Sequence, residues 1–221
     1  MEAQELLEKY AAGDRDFSQV VLSGARLESA DLSAVNLVEA DLTLSILEAA
    51  NLEGAELNLS NLSGANLQQA NLNRANLNGA SLYQASLVGA DLSSAYLIDA
   101  DLSEANLEGA MLQGAFLTSA NLTKANLVKA NLTKISLIGA SLHNADLTGA
   151  DLSAADLTRA NLTGANLTSA DLTGANLTGA KLNWANIACA KLGGANLAGT
   201  YLSTVRGCED VILTDARNLA S

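Results

Sequence analysis

The chain has 221 residues, 49% hydrophobic but only 3% aromatic, with 17 glycines and no proline. Its 24 acids against 12 bases give a formal net charge of -12, which excludes unaided binding to nucleic acid or to an anionic membrane surface. No run of about 18 apolar residues exists, and the opening Met1-Glu2-Ala3-Gln4-Glu5 has neither the basic nor the apolar part of a secretory leader, so a cytoplasmic location is expected.

Taken in chain order, residues 2–12 are predicted to form a helix. Ala3, Leu6, Leu7, Tyr10 and Ala11 fall on one stripe, Glu2, Glu5 and Glu8 fall mostly elsewhere, and Gly13 stands where a helix would end. The expectation is an N-terminal cap over residues 1–13 that hides the first apolar layer, Phe17 and Leu22, and blocks an open strand edge. The acidity belongs to this end: residues 1–57 hold 12 acids and 3 bases, while residues 58–145 hold 5 and 4.

From Phe17 to Leu202 every fifth residue is Leu, with Phe17 and Ile187 the only substitutes, over 38 pentads without an insertion. Two residues before each lies Ala between positions 25 and 195, except at Val35, Ser45, Ser60 and Ile135. An α-helix would rotate successive leucines by about 140° and smear them around the cylinder. A flat strand would send them alternately to opposite faces. The pattern instead fits a short extended segment with Leu inward, then a corner, repeated as a solenoid over residues 14–202. Ala suits the bend, Asn or Asp can bond backbone at the turn, and glycines such as Gly54, Gly64 and Gly79 relieve the corner. The missing proline agrees, since stacked coils need their backbone N–H groups.

After Leu202 the pattern decays. Val205 and Ile212 keep the phase but Gly207 and Arg217 occupy Leu positions, so residues 203–221 are expected to form an irregular coil and tail. Cys189 and Cys208 are 19 residues apart, near one coil's length. Two reduced thiols are expected in preference to a disulfide.

The repeat Ala-(Asp/Asn)-Leu-x-x over Phe17 to Leu202, 186 of 221 residues, resembles the pentapeptide-repeat family. The resemblance implies an all-β fold, a right-handed quadrilateral parallel β-helix with four pentads per coil, carrying a short α-helical cap at its N-terminus. About nine and a half coils at ~4.8 Å each would make a rod on the order of 45 Å long. The stretch from Leu6 to Phe17 also resembles the opening of many cyanobacterial members, which implies a cyanobacterial source.

The sequence offers no catalytic set, no metal site and no cofactor motif. His143, the only histidine, follows Leu142 at an outward position, and the acids are spaced by the repeat. The recurring Asn-Leu-Thr triplets are made by the repeat, and the Thr and Ser of 148–178 read as outward strand residues in preference to an ice-binding array. Functional signal therefore lies in departures at outward positions. With a twenty-residue coil Tyr96 lies beneath Phe116, and Ile98 and Ile138 share a column interrupted by Thr118, which makes an apolar cluster. Lys124, Lys129 and Lys134 occupy three successive corners, with Arg159 one coil on, as a basic belt for an acidic partner. Trp184 takes a corner near Cys189 and the C-terminal end, as an anchor for a partner or a cover over the last coil.

The expected function is a non-enzymatic protein–protein interaction scaffold or regulatory binding protein, with an unidentified protein partner and no direct contact with nucleic acid or membrane. The expected assembly is a monomer or a weak dimer through the C-terminal end. The alternative implied by the resemblance is a DNA mimic that binds type II topoisomerase and protects it from quinolones or a toxin. A 45 Å mimic of duplex DNA would need ~26 negative charges, well beyond the -12 available.

Overall fold

The computed structural model describes residues 1–200 and 204–207. Among the described residues there is one helix, α1 (Ala3–Ala11), within a residue of the expected span at each end. The Gly13 N–H bonds the Tyr10 carbonyl and the Asp14 N–H bonds the Lys9 carbonyl, both at 3.0 Å. With Gly13 at φ +106°, this is a Schellman ending, which satisfies carbonyls the helix leaves open.

The described coils after α1 repeat one ladder of backbone hydrogen bonds, illustrated with its Asx bond by residues 146–150. The Leu147 and Gly149 N–H groups donate forward to the Asn166 and Thr168 carbonyls, at 2.7 and 2.9 Å. The Asp146 N–H donates backward to the Ala125 carbonyl at 2.9 Å, and the Ala150 N–H closes a turn onto the Leu147 carbonyl at 3.0 Å. The fifth, on Thr148, is met by Oδ1 of Asp146 at 3.0 Å. All five donors of this pentad are used, which accounts for the prevalence of Asn or Asp before Leu and for a chain without proline.

Parallel bridges join residue i to residue i + 20 throughout, from Asp16–Asn36 to Asn186–Arg206. Each coil is therefore four pentads with four turns. The third residue of each turn is left-handed, for example Leu44, Leu59 and Lys124 at φ 57°, 59° and 59°, as a type II turn requires. A non-glycine corner of this kind costs about 1–2 kcal/mol. The Leu it turns inward is fully buried and contributes about 1.5–3 kcal/mol, so burial offsets the corner.

The Leu and Ala columns form one continuous core from Phe17 to Leu197. Leu6 of α1 is buried against the same core, with Ala3, Leu7 and Tyr10 packed partly on it. The Tyr10 hydroxyl donates to the Ser33 carbonyl at 2.8 Å, and the Arg15 guanidinium lies 3.8 Å from the centre of the Tyr10 ring.

At the other end the ladder runs further than the sequence pattern suggests. Arg206 pairs with Asn186 and Val205 packs on the core. Gly207 holds φ +75°, and a Cβ there would meet Ala188 at 2.7 Å, so this Leu position has no room for a side chain. Leu202, Cys208, Ile212 and Arg217, and with them any pairing of Cys189 with Cys208, lie outside the described residues.

The turn-forming carboxylates tie the fold to pH. The Thr43 hydroxyl and backbone N–H hold the Asp41 carboxyl below the ordinary aspartate range, and the Ser33 N–H does the same for Asp31. A carboxyl depressed on folding contributes stability that is complete above its unfolded pKa and is lost as pH falls through its folded one. Thermal melting should therefore give a constant midpoint from neutral pH to about pH 5 and a falling one below about pH 4. A midpoint that holds or rises on acidification would contradict these bonds.

Candidate interaction surface

The twenty-residue coil sorts outward residues into four faces, called A to D. Face A carries residues 41–43 and their equivalents, B 46–48, C 51–53 and D 56–58, each followed by a corner residue. Most outward side chains are polar and bond along the stack. On face C, Asn51 Nδ2 donates to Asp31 Oδ1 at 2.9 Å and Asn71 Nδ2 to Asn51 Oδ1 at 3.0 Å.

Face D departs from this. Tyr96 and Phe116 replace the Asn or Asp of two successive rungs, and their rings stack with centroids 5.1 Å apart and planes 8° apart. They remain 45% and 42% exposed. Ile98 and Ile138 are exposed in the next column of the same face, so the structure brings all four predicted apolar residues together. Tyr96 cannot accept from the Ile98 N–H as an Asx residue would. Asn78 Oδ1, one coil earlier, takes that bond at 2.8 Å.

Two further residues complete the surface. Leu59, at the corner between faces D and A, is 60% exposed and lies over Gly79, where a Cβ would meet its Cδ2 at 2.8 Å. Leu59, Gly79, Ile98 and Asp99 frame a shallow depression of about 410 Å³ with Asn76 and Asn78 in it. Leucine at a corner position was a signal available in the sequence. A second case, Leu44 over Gly64, lies on the A/B edge.

The other predicted residues do not converge. Lys124, Lys129 and Lys134 sit at the A/B, B/C and C/D corners of one coil, so they point along three different edges. The Lys124 ammonium is paired to Glu104 at 3.2 Å, and Gln84 and Lys124 together hold the Glu104 carboxyl below its usual range. Only Lys134 borders face D. Trp184, 59% exposed, stands on the A/B edge near the C-terminal end, with the Arg206 guanidinium 6.0 Å from its ring centre.

Eight overlapping segments, covering residues 16–97 and 100–203, match the family described as pentapeptide repeats. The chain is a pentapeptide-repeat protein. HetL, a pentapeptide-repeat protein involved in heterocyst differentiation regulation from the cyanobacterium Nostoc sp. strain PCC 7120, is 38% identical, with 98% of this chain and 94% of HetL covered and a TM-score of 0.62. A trypsin-treated form of QnrB1, a plasmid-mediated fluoroquinolone resistance protein, shares the fold at 21% identity, with 88% and 93% covered and a TM-score of 0.68. Comparison with curated protein sequences gave no match. The fold is thus the right-handed β-helix of pentapeptide-repeat proteins. Among the described residues no helix is long and apolar enough to cross a membrane.

In this pentapeptide-repeat chain the threonine columns are committed to the stack. The hydroxyls of Thr148, Thr158, Thr168 and Thr178 each donate to the Asx oxygen two residues earlier, at 2.5–2.7 Å. Asn166 and Asn176 then donate back to Thr148 and Thr158 at 2.8 Å. No comparable bond ties down Tyr96 or Phe116, whose stack is worth about 0.5–1.5 kcal/mol, about what one Asx hydrogen bond returns. Replacing both by Asn should therefore restore two ladder rungs and leave the melting midpoint within a few degrees of the original. A large fall in midpoint would show the aromatic pair to be structural.

Proposed function

We propose that this protein is a non-enzymatic scaffold or regulatory binding protein that meets a protein partner on face D. The observation that carries the reading is the Tyr96–Phe116 stack. In a chain with 3% aromatic residues, two rings displace the ladder residues that serve the backbone and stay exposed beside Ile98, Ile138 and Leu59. Contiguous apolar surface of this kind marks interaction sites, and aromatic anchors dominate binding energies.

In this reading the quadrilateral rod of residues 14–202 is the rigid support. Residues 1–13 cap its N-terminal end, where Leu6 is buried and Tyr10 is bonded to Ser33 of the first coil. A weak dimer through the C-terminal end belongs to the same proposal. The similarity to HetL, described as involved in a regulatory process, supports a regulatory role over a catalytic one. Lys134 and Arg159, at the two edges of face D, steer the approach of the partner, while Lys124, already paired to Glu104, does not.

The test uses full-length protein as bait in native cell extract, compared with the Tyr96→Asn/Phe116→Asn variant. The wild type should retain a partner that the folded variant loses. Supercoiling by purified gyrase, measured alongside, should be unaffected by either. Gyrase inhibition that survives the double substitution would overturn this reading in favour of DNA mimicry.

A further inference from the structure

The charges around face D narrow the kind of partner it fits, on the premise that face D is the binding surface. Its edge with face A carries Glu39 and Asp99, and its edge with face C carries Arg74 and Lys134. Asp99, Arg74 and Lys134 are exposed, and none has a side-chain partner among the described residues. Glu56, on the face itself, accepts from Asn76 at 2.7 Å, and Arg159 follows on the A edge beyond the apolar strip. Glu39 lies before the strip and accepts from Gln19 at 2.9 Å, so beside the strip from Leu59 to Ile138 the A edge carries one acid, Asp99, and the C edge two bases, Arg74 and Lys134.

The spacing selects the conformation of what lies on it. Coils repeat every ~4.8 Å along the rod, and the strip from Leu59 to Ile138 crosses five rungs. One face of an α-helix repeats every ~5.4 Å, so a helix parallel to the rod drifts by only about 2–3 Å over four steps and keeps each apolar residue near its rung. An extended segment presents the same face every ~6.7 Å and drifts by more than a whole coil over the same distance. A face about three extended residues wide, ~10 Å, also matches the 10–12 Å diameter of a helix, so the two flanks of a helix would reach the two edges.

We propose that face D receives an amphipathic α-helix of a protein partner laid along the rod. Its apolar stripe would cover Leu59, Ile98, Tyr96, Phe116 and Ile138, one flank would carry Lys or Arg toward Asp99, and the other would carry Asp or Glu toward Arg74 and Lys134. The depression beside Gly79 takes the largest apolar side chain of the stripe. The alternating charge of the two edges fixes which way the helix runs, because reversing it places like charges together.

The probe is a phage-displayed library of random peptides of about 20 residues, long enough for five helical turns, selected on full-length protein and counter-selected on the folded Tyr96→Asn/Phe116→Asn variant. Enriched peptides should show apolar residues at three- and four-residue spacing with bases on one flank and acids on the other. A synthetic copy should bind about tenfold or more weaker to Asp99→Lys, a loss typical of a central contact, and recover when its facing base is exchanged for Glu. Enriched peptides with two-residue apolar spacing, or with binding indifferent to Asp99→Lys, would overturn the helix while leaving face D as the binding surface. Failure to enrich any peptide that distinguishes wild type from the variant would count against face D itself.

Discussion

The structure depends on its ladder of backbone hydrogen bonds. Of five N–H groups in a pentad, two reach the next coil, one reaches back and one closes the turn, and where Asn or Asp precedes Leu the fifth is taken by that side chain, as residues 146–150 show. An unpaired buried donor costs about 1–3 kcal/mol, so loss of one main-chain bond repeated in every pentad would unfold the rod. This explains the five-residue period more directly than core packing does. Leu and Ala fill an interior whose shape the hydrogen bonds have already set.

One consequence is a division of labour between inside and outside. Inward columns admit few substitutes. Ser60 is tolerated because its hydroxyl donates to the Leu57 carbonyl at 2.6 Å, whereas the buried Ser45 hydroxyl has no partner. Outward positions are constrained mainly at the left-handed corner and at the residue before Leu, and the second rule is relaxed at several rungs, among them Ile46, Met111, Tyr96 and Phe116. At Tyr96 the Asn78 oxygen of the preceding coil meets the Ile98 N–H in place of the missing Asx oxygen.

The same division decides what was legible in the sequence. The Leu column, the Ala column, α1 and the twenty-residue stacking of Tyr96 on Phe116 all follow from period and residue type, because the repeat maps sequence distance onto space. The surface was less legible. Leu59 and Asp99 escaped notice because their positions matter only once Gly79 is seen to leave space between them. The three lysines stand at three successive corners as expected, but a step of five residues turns the chain onto another edge, so they share no face. Proximity on this rod means a separation of twenty residues.

The most direct test of the account is residue-resolved amide hydrogen exchange. In central pentads the Leu amides, such as Leu147, and the corner amides, such as Gly149, should be protected to the limit of global unfolding. Amides held only by an Asx side chain, such as Thr148, should exchange faster. Leu147 and Gly149 amides that exchange as fast as that of Thr148 would show that the coils are not joined by this ladder, and would contradict the account.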